Sequence, residues 1–383
     1  MDSKSNGKWY PVLVMVAVHF VFATINVLLK KVIVDGLNHL VFITYRLSVA
    51  TIFLAPVAFF FERKNRPKLT YSVVFFLFVN AILGASLTQY LFLLGLQYTS
   101  ATFTCAFLNM VPVITFIISL PFGLERVNIK SNAGRAKVIG TVVCLGGGML
   151  LTLYKGTPLF NHHSHLQHQV TTDSIDHTQS ISKLSSLLTT RKARWASGSL
   201  ALVAGTVLWS SWFLVQSNIG KKYPLQYSST AIMMFFGAIQ SFALSLSVDR
   251  DLSSWILKGK LEVFSILYAG IVGSGFCFVG MSWCVKKRGP VFSSAFSPLV
   301  QIIAAVFDIP FLHEPLHLGS LVGSAIVVAG LYILLWGKNK EMQMSGVEKG
   351  DPENEMVKVQ DPDPESHPTA VTCGSKDPPT VEC

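Results

Sequence analysis

Charged residues are scarce in this chain of 383 residues: Asp, Glu, Lys and Arg make up 14% of it, whereas hydrophobic residues make up 51%. A soluble domain carries about 25% charged residues. The shortage excludes an ordinary soluble globular protein, because too few charged side chains are available for a surface that faces water. It also leaves long apolar stretches uninterrupted, which is typical of membrane proteins.

Other common features are missing as well. The six cysteines contain no Cys-x-x-Cys pair and form no evident disulfide framework, and the chain has no Asn-x-Ser/Thr glycosylation site. No cleavable signal peptide is predicted, because the first apolar run is too long and no Ala-x-Ala site follows it. No cofactor is expected.

What the chain has instead is ten apolar runs of the length that crosses a membrane. About 20 helical residues, rising about 1.5 Å each, span the hydrocarbon core of a bilayer. We therefore predict an all-α membrane protein with ten transmembrane helices, called span 1 to span 10 below. The predicted spans cover residues 11–31, 39–61, 72–95, 100–122, 136–154, 196–217, 227–248, 263–285, 291–312 and 318–336.

The net charge of +10 is distributed unevenly. Residues 1–340 contain 28 Lys and Arg against 11 Asp and Glu, whereas residues 341–383 contain 3 against 10. Short connections between spans carry the basic residues, mainly at 62–68, 125–137, 221–222 and 286–288. This placement is typical of cytosolic loops and not of a nucleic-acid interface. It predicts that both termini and the even-numbered connections lie in the cytosol.

Two similar segments lie 189 residues apart. LPFGLERVNIK at 120–130 and IPFLHEPLHLG at 309–319 share Pro, Phe and Glu, and their glutamates are Glu125 and Glu314. The second segment also contains His-Glu-Pro-Leu-His, which fits the zinc-protease pattern His-Glu-x-x-His. Pro315 disfavours the continuous helix that such a metal site needs, and the first segment has no histidine. We predict neither a metal site nor an enzyme.

The same shift relates much of the two halves of the chain. The equivalent pairs are Gly84 and Gly273, Phe103 and Phe292, Ala106-Phe107 and Ala295-Phe296, and, with the shift reduced to 183, Gly140 and Gly323, and Gly147 and Gly330. Spans 1 and 6 match more weakly, with a shift of 187 that pairs Phe22 with Trp209. Because each repeat holds five spans, an odd number, the second repeat must enter the membrane from the opposite side. Such inverted repeats are common in secondary transporters, whose substrate site lies near the midplane between the repeats.

Three further stretches resemble the plant drug/metabolite exporter family, which includes the walls-are-thin and UmamiT transporters. They are YR at 45–46, FFFERKNRPKLT at 59–70 and HLGSLVGSAIVVAGLYILLWGK at 317–338. The resemblance covers roughly residues 8–340. It implies ten spans in two EamA-type halves, and transport of amino acids, auxin or related small metabolites.

The chain divides into five segments on this interpretation. They are a cytosolic N-terminus at 1–10, the first repeat at 11–154, a polar linker at 155–195, the second repeat at 196–337 and an acidic cytosolic tail at 338–383. The linker is rich in histidine, which is compatible with metal sensing or with a plain polar connection between the repeats. The tail is predicted to be disordered and is a candidate site for a regulator.

Polar, charged and aromatic side chains inside the spans are the candidate site residues. A charge in a membrane costs about 2.5–3.5 kcal/mol on insertion scales, so such groups are usually functional or paired. The side chains expected to line a substrate cavity are His19, Asn26, Arg46, Gln89, Asn109, Pro112, Trp209, Trp212, Pro298 and Gln301. The carboxylates expected to act in gating or coupling are Glu125, Asp308 and Glu314.

The charged candidates have structural alternatives. Arg46 would anchor a substrate carboxylate, which guanidinium binds as a two-pronged fork, or it would form a structural ion pair with Asp308. Glu125 and Glu314 would act as gates, or each would stabilise the start of the following helix through the helix dipole.

The mid-span prolines also have two interpretations. Asn109 and Pro112 in span 4 correspond to Pro298 and Gln301 in span 9. A proline inside a helix removes a backbone donor and kinks the helix, and in transporters such a break exposes carbonyls to a cavity. The alternative is a kink that only shapes packing.

Trp209 and Trp212 bear on the substrate. They would stack on an indole or another aromatic ligand, or they would serve packing or anchor the chain at the membrane interface. We predict a secondary transporter of small organic metabolites, with amino acids as the first candidate and auxin or a related indole as the second. The competing class is a non-transporting membrane receptor or scaffold. The expected location is the plasma membrane, with the vacuolar membrane as the alternative.

Overall fold

The structure is a computed structural model that describes residues 9–34, 37–63, 67–99, 101–125, 130–154, 180–248, 255–257, 259–312 and 318–348. All regular secondary structure in these ranges is helical. Eight helices in the described ranges are long and apolar enough to cross a membrane. Two shorter apolar helices, Phe103–Ser119 and Pro290–Ala304, account for spans 4 and 9. The predicted all-α membrane fold with ten spans is confirmed.

The helices of the two repeats follow the same order. In the first repeat, span 1 is Tyr10–Val34, span 2 is His39–Glu62, span 3 is Tyr71–Gly84 followed by Leu87–Tyr98, span 4 is Ala101–Ser119 and span 5 is Asn132–Leu153. In the second repeat, span 6 is Ser180–Lys222, span 7 is Gln226–Val248 and span 10 is Leu318–Glu348. Span 8 consists of three consecutive helices, Lys260–Tyr268, Ala269–Cys277 and Phe278–Arg288. Span 9 consists of two helices, Pro290–Ser294 and Leu299–Leu312. One compact unit ends at Asn339 and a second begins at Lys340, of which helical residues up to Glu348 are described.

Short side-chain contacts define where several helices begin. The Asn38 side chain accepts a hydrogen bond from a backbone amide of the first turn of span 2, and Ser131 does the same for span 5. The carboxylate of Glu62, at the end of span 2, accepts the backbone N–H of Ser228 at 2.7 Å and so caps span 7. Each contact satisfies an amide that a helix start leaves without an intrahelical partner.

Spans 3 and 8 are interrupted at equivalent places. Span 3 breaks after Gly84, and the equivalent Gly273 lies within the π-helix Ala269–Cys277 of span 8. Short π-helical turns are frequent at functional sites. Span 9 is also broken before Leu299, at Pro298, whereas the helix of span 4 continues through Pro112. The predicted interruption by proline therefore occurs in one repeat only.

The two halves make equivalent contacts with each other. Gly84 packs directly on Trp212, and Gly273 packs directly on Ile25. Gly84 is equivalent to Gly273, and the shift that relates spans 1 and 6 makes Ile25 equivalent to Trp212. The same contact is thus made twice, once from each half, as a two-fold relation between the repeats requires.

Spans 5 and 10 show the same reciprocity at their mutual contact. A methyl group on Gly147 would lie 2.7 Å from the Val327 nitrogen, and one on Gly330 would lie 2.5 Å from the Cys144 nitrogen. Gly147 corresponds to Gly330, and Cys144 to Val327. Small residues allow membrane helices to approach this closely, so Gly147 and Gly330 allow spans 5 and 10 to pack backbone against backbone.

Candidate functional site

An aromatic group surrounds His19 near the middle of span 1. The His19 side chain is buried, and its Nδ1 lies 2.7 Å from the Met15 carbonyl oxygen. Its ring centroid lies 6.2 Å from that of Phe22 and 6.1 Å from that of Phe296. Phe22 in turn packs edge-on against Phe278. Aromatic rings of spans 1, 8 and 9 are therefore packed together near the middle of span 1.

Trp209 and Trp212 extend this aromatic group into span 6. Their rings stack with centroids 5.2 Å apart and planes 9° apart. Trp212 is completely buried, and its Nε1 donates to the Met233 sulfur at 3.4 Å. Trp209 is only half-buried and contacts Phe278. Of the two indoles, only that of Trp209 retains accessible surface, and Trp212 supports it from behind.

A pair of amides joins the two repeats. Asn109 of span 4 donates through Nδ2 to Gln301 Oε1 of span 9 at 3.1 Å and to the Gly148 carbonyl at 2.8 Å. Gln301 donates through Nε2 to the Cys105 carbonyl at 2.9 Å. The Oδ1 of Asn109 is buried and accepts no hydrogen bond from any residue within the described ranges. One acceptor therefore stays available at the contact between the repeats.

The prolines take the equivalent positions beside this pair. Pro112 is related by the repeat to Gln301, and Pro298 to Asn109. Both prolines are buried. The structure therefore joins Asn109 and Gln301 across the repeats and buries the two prolines at the equivalent positions.

Arg46 lies apart from this group, on span 2. Its Nε is buried and has no hydrogen-bond partner among the residues that the structure describes. Its backbone carbonyl lies against Gly270, at the π-helix of span 8. Phe42, one turn away, belongs to an apolar cluster formed by spans 1, 2 and 8. The side chain of Asp308 lies outside the described residues, so the alternative ion pair with Arg46 stays a prediction.

One face of span 1 changes from buried to exposed along its length. Met15 and His19 are buried, Phe22 is half-buried, and Asn26 is exposed. These residues share one helical face, because they follow the spacing of about 3.6 residues per turn. Gln89, which follows the break in span 3, is half-buried. Of the span 1 candidates, His19 is thus buried and Asn26 is exposed nearer the end of that span.

Glu125 is held by two lysines. Its Oε1 lies 3.1 Å from Lys137 Nζ and 2.6 Å from Lys338 Nζ, and its Oε2 accepts from Lys338 at 2.7 Å. The side chains of Glu125 and Lys137 are 2% and 1% exposed. The three residues tie together the end of span 4, the start of span 5 and the end of span 10. Glu314, the repeat equivalent, lies outside the described residues.

The side at which span 1 begins is also closely packed with apolar side chains. The largest buried cluster includes Met15 of span 1, Leu77 of span 3, Ile219 of span 6, Val285 of span 8 and Leu334 of span 10. The separate cluster on spans 1, 2 and 8, toward the other side, is smaller. The Glu125 group and this cluster close the same side of the protein.

Two buried polar pairs were not predicted from the sequence. Asn80 Nδ2 donates to Gln216 Oε1 at 2.7 Å, and Ser86 Oγ donates to Gln240 Oε1 at 2.7 Å. Both pairs connect span 3 with spans of the second repeat. Sequence reasoning could have singled out Asn80 and Gln216, because an amide that is buried without a hydrogen-bond partner is costly. The role of Lys137 was missed because it was counted as a loop residue.

The zinc-protease motif at 313–317 falls outside the described residues, as do the histidines of the linker up to residue 179. Within the described ranges, no cluster of three or more His, Cys, Asp or Glu side chains has the arrangement of a metal site. The described candidates are thus amides, aromatic rings, an arginine and a lysine-bound carboxylate, which suit an organic ligand.

Comparison with known proteins supplies the family. The EamA-like transporter family matches residues 9–153 and again 196–336. A WAT1-related protein of Arabidopsis thaliana is 50% identical over 345 residues, which cover 90% of this chain and 91% of the relative. A second WAT1-related protein of that plant is 47% identical over 338 residues, covering 88% and 89%.

A solved crystal structure has the same fold, with a TM-score of 0.62 over 85% of this chain and 97% of the other at 13% identity. The resemblance stated from the sequence is confirmed by the repeated family match and by relatives that align along most of their length. The chain therefore belongs to the EamA-like transporter family, among its plant drug/metabolite transporters, and is a multi-pass integral membrane protein.

Proposed function

We propose that the protein is a secondary transporter that carries small organic metabolites, amino acids first, across a plant membrane by alternating access. The observation that carries this proposal is the reciprocal contact of Gly84 with Trp212 and of Gly273 with Ile25. Two halves that make the same contact from opposite sides can exchange conformations and open one site to either face.

The closed side supports a carrier in one of its end states. Glu125 with its two lysines and the large apolar cluster close the side at which span 1 begins. The exposed Asn26 lies toward the other side. We propose that the substrate enters from that other side and reaches the aromatic group around His19.

Arg46 is the proposed anchor for the substrate carboxylate. Arg46 is half-buried, and its buried Nε has no partner among the described residues, which is costly inside a membrane. A carboxylate ligand would supply both negative charge and a two-pronged acceptor. The unpartnered Oδ1 of Asn109 is the proposed acceptor for an ammonium group. Because Arg46 lies apart from Asn109 in this structure, one α-amino acid would meet both groups only after the two halves rearrange.

Auxin or a related indole acid is the second candidate, and one observation favours it. Trp209 retains accessible surface, stacks on Trp212 and contacts Phe278. An indole ring would add a layer to this stack. Both substrate classes carry a carboxylate, so Arg46 would bind either one. The preference for an indole acid over an amino acid would depend on stacking against Trp209.

Flux in proteoliposomes tests the proposal. We expect uptake of labelled amino acids or auxin by the wild-type protein. Arg46→Gln should lower kcat/KM at least tenfold, whereas competition by an amine analogue without the carboxylate should stay unchanged. Arg63→Gln is the matched control, because Arg63 lies exposed at the other end of span 2 and rests on Phe59.

Three outcomes separate the alternatives. Binding without flux of any candidate would overturn the carrier and favour the receptor or scaffold. Restored flux in the double swap Arg46→Asp with Asp308→Arg would show a structural ion pair instead of a substrate anchor. An Arg46→Gln variant that folds and transports normally would remove Arg46 from the site.

We further propose that both termini lie in the cytosol and that the plasma membrane is the location. The basic residues Lys221, Lys222 and Lys286 to Arg288 end spans 6 and 8 on the side closed by Glu125, which supports a cytosolic assignment of that side. Epitope tags on either terminus should be accessible to antibody only after permeabilisation. Co-localisation with a vacuolar marker would contradict the plasma-membrane assignment.

A further inference from the structure

Spans 5 and 10 form a groove on the outside of the helix bundle, with a volume of about 380 Å³. Its lining consists of Asn132, Arg135, Ala136 and Ile139 from span 5 and Tyr332, Ile333 and Trp336 from span 10. The volume falls within the range of about 300–1,000 Å³ that is usual for small-molecule sites. We propose that this groove binds an anionic phospholipid from the leaflet on the side at which span 1 begins.

The floor of the groove is formed by backbone contact. A methyl group on Gly337 would lie 2.9 Å from the Ala133 carbonyl oxygen and 3.0 Å from Ala136 Cβ. The two helices therefore pack in contact at Gly337, Ala133 and Ala136. The larger side chains that flank this contact form the sides of the groove. Small residues let the two backbones approach this closely.

The groove faces the hydrocarbon of the bilayer. Ile139 is 52% exposed and Tyr332 is 68% exposed, although both lie in membrane-spanning helices. Val142 and Val328 continue the same exposed faces one turn further into the membrane. Acyl chains are the solvent for such a surface, so a lipid chain is the natural occupant of the apolar part of the groove.

The other end of the groove carries positive charge. Arg135 is exposed, as is Lys130 just before span 5. Gly337 contacts residues 133–137, which places Trp336 at the same depth as Arg135. Tryptophan and tyrosine favour the level of lipid head groups. Basic pockets between membrane helices bind anionic head groups, and this pocket combines both features.

The site adjoins the group that closes the same side of the protein. Ala136 and Gly337, at the floor, directly precede Lys137 and Lys338, which hold Glu125. A lipid that bridges spans 5 and 10 here would stabilise the contact between them.

The test uses the purified full chain in detergent with added lipid. We expect phosphatidylglycerol to raise the unfolding temperature more than phosphatidylcholine does, and native mass spectrometry to retain phosphatidylglycerol preferentially. Arg135→Gln should weaken phosphatidylglycerol binding at least fivefold. Arg194→Gln, which removes an exposed arginine of the span 6 helix, is the matched control and should bind like the wild type.

A second variant tests the groove without changing the charge. Ile139→Trp would fill the space between the helices and should also reduce lipid retention, while its unfolding temperature without added lipid stays near that of the wild type. Equal binding of both lipids, an unaffected Arg135→Gln variant, or an equal loss in Arg194→Gln would overturn the proposal. So would cross-linking that shows a second copy of the chain seated on Tyr332 and Trp336.

Discussion

Lys338 Nζ lies 2.6 Å from Glu125 Oε1, so span 10 is tied to the segment that follows span 4. Lys137, at the start of span 5, binds the same carboxylate at 3.1 Å. Glu125 and Lys137 are almost completely shielded from water. Removing the carboxylate would leave two like charges together in a medium of low polarity, where an unpaired charge is strongly unfavourable.

Glu125→Gln should therefore lower the free energy of unfolding by about 3–5 kcal/mol, the usual cost of breaking a buried ion pair. Thermal unfolding in detergent measures the effect. Glu125→Gln combined with Lys137→Gln should recover part of the loss, because one positive charge is removed with the negative one. A single variant as stable as the wild type would show that the buried group contributes little.

The gating hypothesis predicts opposite effects from the two equivalent glutamates. If each closes one side, Glu125→Gln and Glu314→Gln should shift the balance between uptake and export in opposite directions. Counterflow in proteoliposomes of known orientation measures both directions. Equal effects on uptake and export in both variants would leave stability as the role of these residues.

Glycine substitutions should distinguish the two equivalent contacts. Gly84→Ala would place a methyl group in the ring of the fully buried Trp212, whereas Gly273→Ala would meet only the end of the flexible Ile25 side chain. We expect Gly84→Ala to cost about 1–3 kcal/mol, as overpacking does, and Gly273→Ala to cost less. Gly146 has open space around it, so Gly146→Ala should be neutral or stabilising by up to about 1 kcal/mol.

Asn109 and Gln301 should be energetically coupled. Residues in direct contact show interaction energies of about 0.5–3 kcal/mol in double-mutant cycles. A cycle of Asn109→Ala and Gln301→Ala, followed by thermal unfolding, should fall in that range. The matched cycle of Asn109→Ala with Gln240→Ala should be additive, because Gln240 bonds Ser86 and Phe78 instead. Additivity in both cycles would contradict the contact between the repeats.

The two tryptophans should respond differently to the same substitution. Trp212→Phe should lower the unfolding temperature, because the side chain is fully buried and its Nε1 donates to Met233. Trp209→Phe should leave stability nearly unchanged and raise the KM for an indole acid more than that for an amino acid. An equal change in both KM values would remove Trp209 from substrate selection.

The number of spans and the repeat could be predicted because both depend on local sequence. Each apolar run identifies a helix by itself, and Glu125 with Glu314 marks equivalent ends without any knowledge of packing. Partners across the fold could not be predicted in this way. Asn80 and Gln216 are single amides 136 residues apart, and nothing near either one in the sequence indicates the other.

The prolines show a second limit. Pro112 and Pro298 lie in corresponding spans, yet the helix continues through the first and is broken at the second. A missing backbone donor is a local property, but whether the helix separates there depends on the neighbours that surround it. In the same way, Lys137 belongs to a basic stretch typical of a loop, and only the folded chain places it beside Glu125.

Trp212 and Ile25 occupy equivalent places but are very different side chains. Both side chains are buried and in contact with their glycines in this state. If the two halves exchange their packing during transport, the reversed state must fit the indole and the aliphatic side chain into each other's surroundings. The two orientations of the carrier would then differ in free energy, and the empty protein would favour one of them. A substrate can reverse that preference only by binding the less populated orientation more tightly.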